Sequence, residues 1–230
     1  MFTVKGPRYI THMRRLRDVE EPLANFLAPS LFNLGDKLGP ILWQFPPNLK
    51  YDRPRMEAFL ALLPRDTDAA RIGARRRSAA FMKGRMRLPA GEKRGLRHAV
   101  EIRHESFLEP SLVALLRQHN AALVIAETAR RWPMAHDITA DFVYMRLHGG
   151  QHLYRGGYQE QALTRWARRI RACYRGAEPS DAQKISDWKA PKAKSCNVYC
   201  FFDNTDVKLR APRDAQTLMK KLGLVTADGH

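Results

Sequence analysis

The chain is poor in cysteine, has no long apolar run, and has far fewer acidic than basic residues. Its three cysteines, Cys173, Cys196 and Cys200, are an odd number and too few for a disulfide framework in 230 residues, which favours a reducing, cytoplasmic setting. No window approaches about 18 uninterrupted apolar residues, and the first residues lack the pattern of a signal peptide. These absences exclude a disulfide-rich secreted domain and predict a soluble protein with no membrane partner.

The shortage of acidic residues gives the chain a strong positive charge. There are 40 Lys and Arg against 23 Asp and Glu, for a formal net charge of +17. Segments 65–97 and 165–194 hold most of the excess, with eleven basic residues against three acidic and nine against three, or +8 and +6. Charge runs are usually solvated surface, but a nucleic-acid surface is the alternative, and both stay open.

Short apolar segments alternate with amphipathic ones along the chain, a pattern typical of parallel strands joined by helices. No G-x-G-x-x-G or Walker sequence occurs, and Lys5-Gly6-Pro7-Arg8, after the first segment, is not a glycine-rich phosphate loop. This favours a parallel (β/α) barrel of the TIM type over an open doubly wound sheet. The predicted strands are 2–5, 40–45, 98–103, 121–126, 142–147 and 198–202.

Polar residues recur where these strands end. Because side chains alternate across a strand, Glu101 and Arg103 share one face of the third strand, and Arg146 and His148 share one face of the fifth. A charged residue repeated near each carboxyl end is explained if these ends converge on one barrel mouth. The same pattern predicts further residues at the mouth: Lys5, Gln44, Glu127 and Asn204.

The residue types at this mouth point to general acid–base chemistry beside an anion. We predict Glu101, His104 and His148 as catalytic groups, with the cations Arg103 and Arg146 holding the anion. The other predicted ligand-binding residues are Lys5, Gln44, Glu127 and Asn204. A buried Glu101–Arg103 ion pair, with His104 capping a turn, is the structural alternative.

The sequence gives little support for a metal or a covalent nucleophile. Glu101, His104, Glu127 and His148 are ligand types, but no pair lies on one helix at i, i+4 and no acidic cluster accompanies them, so no metal is predicted. Ser106 and Cys173 lack the sequence context of a nucleophile. The sequence leaves the cofactor unknown. The remaining histidines are predicted to be ordinary surface or loop residues without a partner: His12, His119, His136, His152 and His230.

Five segments in this order resemble one known family. They are 4–12 (VKGPRYITH), 38–47 (LGPILWQFPP), 99–104 (AVEIRH), 144–149 (YMRLHG) and 202–205 (FDNT). The chain resembles the YecE-like family known as domain of unknown function 72, over residues 1–223, leaving 224–230 as a tail. The resemblance implies a TIM-barrel-like fold, bacterial cytoplasmic members and no established activity. Family members begin with two further strand–helix units, so the resemblance also implies about six of eight barrel units here.

Two functions follow as expectations. The first is a cytosolic barrel protein that binds or hydrolyses an anionic, phosphate-containing ligand, nucleic acid included, at the strands' carboxyl ends; if it is an enzyme, the activity is hydrolase-like. The second is a non-catalytic protein that binds nucleic acid or an acidic partner through segments 65–97 and 165–194. The sequence leaves the oligomeric state open.

Overall fold

The structure, a computed structural model, describes residues 1–83, 92–150, 152–154, 156–191, 194–204 and 209–225. The chain forms two compact units, Met1–Phe107 with Gln118–Ala121, and Leu108–Arg117 with Ala122–His230. None of the helices in the described ranges is long and apolar enough to cross a membrane.

The first unit contains three parallel strands that lie side by side in chain order: β1 (Phe2–Lys5), β2 (Leu38–Gln44) and β3 (His98–Glu101). Lys5 lies opposite Leu42, and Gln44 lies opposite Glu101. The helical elements of this unit are a π-helix (Tyr9–Met13), α1 (Glu20–Leu27), a 3-10 helix (Ser30–Lys37), α2 (Arg53–Leu62), α3 (Thr67–Ala74), α4 (Ala79–Met82) and a 3-10 turn (Glu105–Phe107).

The second unit repeats the arrangement. It holds β4 (Ala121–Glu127) from its second residue onward, β5 (Phe142–Leu147) and β6 (Asn197–Phe202), again parallel and in chain order. Its helices are α5 (Pro110–Gln118) up to Arg117, α6 (Glu160–Tyr174) and α7 (Arg210–Leu222). In the core, the α6 stripe of Leu163, Trp166 and Ile170 packs with Val143, Met145 and Leu147 of β5. That packing is what the spacing of apolar residues in both segments predicts.

All six predicted strands are present, with ends within two residues of those expected, so the α/β class with parallel strands is confirmed within each unit. The barrel itself, its count of six units and the single domain over 1–223 stay predictions. One helix differs from expectation. The apolar spacing from Val19 to Leu34 predicts one helix, but α1 ends at Leu27 because Pro29 adopts an extended conformation and has no N–H to continue the ladder.

A buried histidine links two elements of the first unit. The Trp43 Nε1 donates to His98 Nδ1 at 3.1 Å, so the His98 Nε2 carries the proton and donates to the Pro64 carbonyl at 2.8 Å. Trp43 also packs edge-on against Phe59, with ring centroids 5.2 Å apart. Burial lowers the pKa of His98 to about 4, from 6.5. The imidazole is therefore a neutral part of the core.

We expect this histidine to make stability depend on pH. Between pH 6.5 and about 4 the unfolded chain binds a proton at His98 that the folded chain excludes, so the free energy of unfolding falls as pH falls. The loss across this window is roughly 3 kcal/mol at about 1.36 kcal/mol per pH unit. Urea melts of the wild type and His98→Gln between pH 4 and 7.5 measure it. Because other histidines titrate in both proteins, the difference between the two curves isolates His98; parallel curves would contradict the assignment.

Candidate functional site

Four of the predicted residues form one hydrogen-bonded chain in the first unit, here called the first cluster: Lys5, Gln44, Glu101 and Arg103. Lys5 Nζ donates to Gln44 Oε1 at 2.6 Å, and Gln44 Nε2 donates to Glu101 Oε1 at 2.8 Å. Arg103 Nε donates to the same Glu101 oxygen at 2.9 Å. The three strands deliver these groups because Gln44 and Glu101 are register partners and Lys5 ends the adjoining strand.

The carboxylate end of the first cluster is held away from water, whereas Lys5 is exposed. Only 1% of the Glu101 side chain and 11% of the Arg103 side chain are exposed. A buried carboxylate needs such partners, because its desolvation costs several kcal/mol. With two cations and one carboxylate the cluster carries a formal charge of +1, which suits an anion.

His12 also belongs to the surroundings of the first cluster. It lies in the π-helix that follows β1, and its Nδ1 is 2.8 Å from the Thr11 hydroxyl. Burial first, and then the charges of Arg8, Lys5 and Arg103, lower the pKa of His12. No partner was predicted for His12. Sequence spacing gives no signal for it, because a π-helix cannot be foreseen from apolar periodicity.

His104, predicted as catalytic, is engaged in a turn. Its Nδ1 accepts the Ser106 backbone N–H at 3.1 Å and lies 2.9 Å from the Ser106 hydroxyl. The Ser106 hydroxyl oxygen in turn accepts the Tyr51 backbone N–H at 2.8 Å. This geometry matches the turn-capping alternative, in which His104 stabilises the turn after β3.

A second cluster lies where β5 and β6 end in the second unit and consists of Arg146, His148 and Asp203. Arg146 Nη2 donates to Asp203 Oδ2 at 2.6 Å, and His148 Nδ1 lies 3.0 Å from the same oxygen. Arg146 is opposite Phe201 in the strand register, so the pleat brings Asp203 to the face that carries Arg146 and His148.

His148 has unused hydrogen-bonding capacity. Its side chain is fully buried, and neither ring nitrogen makes a hydrogen bond to a described residue, because the approach to Asp203 has the distance but not the angle of one. The Tyr154 ring stands edge-on, with centroids 5.3 Å apart. An unpaired buried polar group costs about 1–3 kcal/mol, so it calls for a specific explanation.

Glu127 is not brought to this face. It lies beside Leu147 in the register, on the side of the sheet covered by α6, and its Oε2 accepts the Trp166 Nε1 proton at 3.0 Å. Burial first, and then the charge of the Glu127 carboxylate, raise the pKa of Tyr158. The predicted position at the mouth is therefore corrected: Glu127 joins a buried network between strand and helix.

Asn204 is likewise placed elsewhere. Its Nδ2 donates to the Gly156 carbonyl and to Asp214 Oδ2 of α7, both at 2.9 Å. It lies one residue beyond Asp203, so the pleat turns the two side chains apart. Asp203 is not among the predicted residues, but the sequence holds a signal for it: Tyr199 and Phe201 of β6 and Asp203, just after the strand, form the alternate series.

The structure gives no metal centre in the parts of the chain that it describes. No group of three or more His, Cys, Asp or Glu side chains within those ranges is arranged to hold a metal ion.

Comparison with known proteins identifies the family. A family model described as "Protein of unknown function DUF72" matches residues 1–228. The chain belongs to the DUF72 family. No curated protein sequence matches it.

Two solved DUF72 structures are similar to this chain. A DUF72 family protein from Thermotoga maritima MSB8 shares 22% identity at a TM-score of 0.65, and the match covers 96% of this chain and 73% of that one. A DUF72 family protein from Enterococcus faecalis V583 shares 18% identity at a TM-score of 0.58, covering 91% and 68%. At these identities the likeness supports the fold alone.

Proposed function

We propose that this DUF72 protein binds a phosphate-containing anion at the carboxyl ends of β5 and β6 and hydrolyses a phosphate ester there. The observation that carries the proposal is the convergence of Arg146 and buried His148 on one oxygen of Asp203, with both His148 nitrogens lacking a hydrogen bond to any described residue. A guanidinium beside an unsatisfied imidazole is suited to a group with several acceptor oxygens.

Each residue of the second cluster has a distinct role in this proposal. Asp203 faces the Nδ1 of His148, which leaves Nε2 as the reacting nitrogen, and such contacts often tighten only when substrate is bound. Water attacks phosphorus and forms a new P–O bond as the ester P–O bond breaks. The leaving oxygen takes the proton from Nε2, and the proton lost by the attacking water replaces it on that nitrogen. Arg146 balances the negative charge on the phosphoryl oxygens.

The first cluster supports anion binding in its own unit. Lys5 and Arg103 are fixed by Gln44 and Glu101, so their charges are pre-positioned rather than mobile. We propose that this cluster is an anion-binding site of the first unit in its own right. The TIM-barrel interpretation stays a proposal, supported by the parallel pairing of strands within each unit.

His148→Gln tests the proton-donor role. We expect it to lower kcat for phenyl phosphate by roughly 10²–10⁴-fold, and by much less for p-nitrophenyl phosphate, whose better leaving group needs no proton. Binding of inorganic phosphate, measured by calorimetry, should stay within a few-fold of wild type.

The matched control is His136→Gln, because His136 is also buried with an unpaired Nε2 but lies away from the second cluster. It should leave both rates unchanged. If His148→Gln lowers kcat equally for the two esters, His148 is not the proton donor. If the wild type binds phosphate but turns over neither ester, the protein is a binder and not a hydrolase.

A further inference from the structure

Helix α6 presents an outer face formed by arginines. Its inner stripe is buried in the core of the second unit, while Arg165, Arg168, Arg171 and Arg175, the last at the carboxyl cap, are exposed at spacings of three and four residues. They therefore lie along one side of the helix.

Helix α7 packs along α6 and continues this charge. Arg210, Arg213 and Lys220 are exposed on α7. Arg171 Nη2 donates to the Lys221 carbonyl, which joins the two helices at this surface.

The two helices have almost no carboxylates to offset these cations. Each contains one, Glu160 on α6 and Asp214 on α7. Glu160 forms an ion pair with Lys221. Asp214 is buried and accepts from the Tyr158 backbone N–H at 3.0 Å and from Asn204.

This pattern differs from that of an ordinary solvated helix. Such helices intersperse acids and bases, as α3 does with its Arg71–Asp68 pair at 2.6 Å. On α6 the like charges at i, i+3 and i, i+4 repel one another instead. Within the described ranges no carboxylate pairs with Arg165, Arg168 or Arg175, and a polyanion that neutralises such a row explains it.

We propose that this surface, the α6–α7 basic face (Arg165, Arg168, Arg171, Arg175, Arg210, Arg213 and Lys220), binds the phosphate backbone of a nucleic acid. Tyr174 favours a nucleic acid over an acidic protein, because 60% of it is exposed between Arg171 and Arg175, where its ring can stack on a base. None of these residues belongs to the first or second cluster, so this proposal is independent of the phosphate-ester site.

The test is fluorescence anisotropy with a labelled 20-nucleotide RNA, comparing wild type with the triple variant Arg165→Gln, Arg168→Gln and Arg175→Gln. We expect affinity near 0.1 M salt to fall by about tenfold or more, and the slope of log K against log salt to shrink by about 2. Glutamine retains helix propensity at these exposed sites, and matching thermal melts establish that the fold is kept.

The control removes the same charge from the first basic segment, with Arg75→Gln, Arg76→Gln and Arg77→Gln together. It should bind RNA as wild type does. Equal losses in both triples, no RNA binding by wild type, or equally tight binding of polyglutamate would each overturn the proposal. Residues 84–91 and 192–193 of the two basic segments lie outside the described residues.

Discussion

Replacing Arg146 by glutamine is expected to weaken binding of inorganic phosphate by roughly tenfold to a hundredfold. The guanidinium is 12% exposed and held by Asp203, so its charge acts in a partly desolvated place. A hydrogen bond to a charged group contributes about 1.5–3 kcal/mol, and every 1.4 kcal/mol is a factor of ten in affinity. Calorimetric titration with phosphate at constant ionic strength measures the change.

The control for Arg146 is Arg169→Gln in the same unit. Arg169 also pairs with an aspartate, Asp181, at 2.8 Å, but Arg169 belongs to α6 and not to the second cluster. This variant, and the triple glutamine variant at Arg75 to Arg77, should bind phosphate normally. If the triple variant loses phosphate binding while Arg146→Gln retains it, the second cluster is not the anion site.

Glu101→Ala is expected to lower the free energy of unfolding by about 3–5 kcal/mol. The substitution removes the one oxygen that accepts from both Gln44 and Arg103, and it leaves a buried guanidinium without this carboxylate. Breaking a buried ion pair by removing one partner costs that much, because the remaining charge stays desolvated.

Urea melts at pH 7.5 measure this loss. Asp68→Ala serves as the control, since it breaks an exposed Arg71–Asp68 pair of the same unit and should cost less than about 1 kcal/mol. In a double-mutant cycle, Glu101→Gln and Arg103→Gln should couple by about 0.5–3 kcal/mol. Equal small losses for Glu101→Ala and Asp68→Ala would show that the first cluster does not stabilise the fold.

The positions of the strands could be predicted from the sequence. So could the strand face that carries the charged residues in each unit. The alternation of apolar and polar residues predicts β3 and β5. It also predicts that Glu101 shares a face with Arg103, and that Arg146 shares a face with His148. These predictions succeed because both strands are buried, so only a polar partner or a ligand explains their charged residues.

The remaining site residues depend on contacts between elements that are distant in sequence. The end of a strand predicts Glu127 at the mouth, but Trp166 of α6 lies across from it and donates to its carboxylate. Alternation along β6 does not decide whether Asn204 or Asp203 faces the site, because no spacing rule sets the register of β6 against β5. The observed pairing of Arg146 with Phe201 decides that choice in favour of Asp203.

The most direct test of the phosphate site observes the His148 ring itself. Long-range ¹H–¹⁵N spectra of the histidine side chains, recorded during titration with inorganic phosphate at constant ionic strength and assigned with His148→Gln, report on both ring nitrogens. We predict that the His148 signals shift saturably, with the dissociation constant found by calorimetry, while those of His136 stay fixed. Phosphate binding that leaves the His148 signals unmoved would contradict the proposed site.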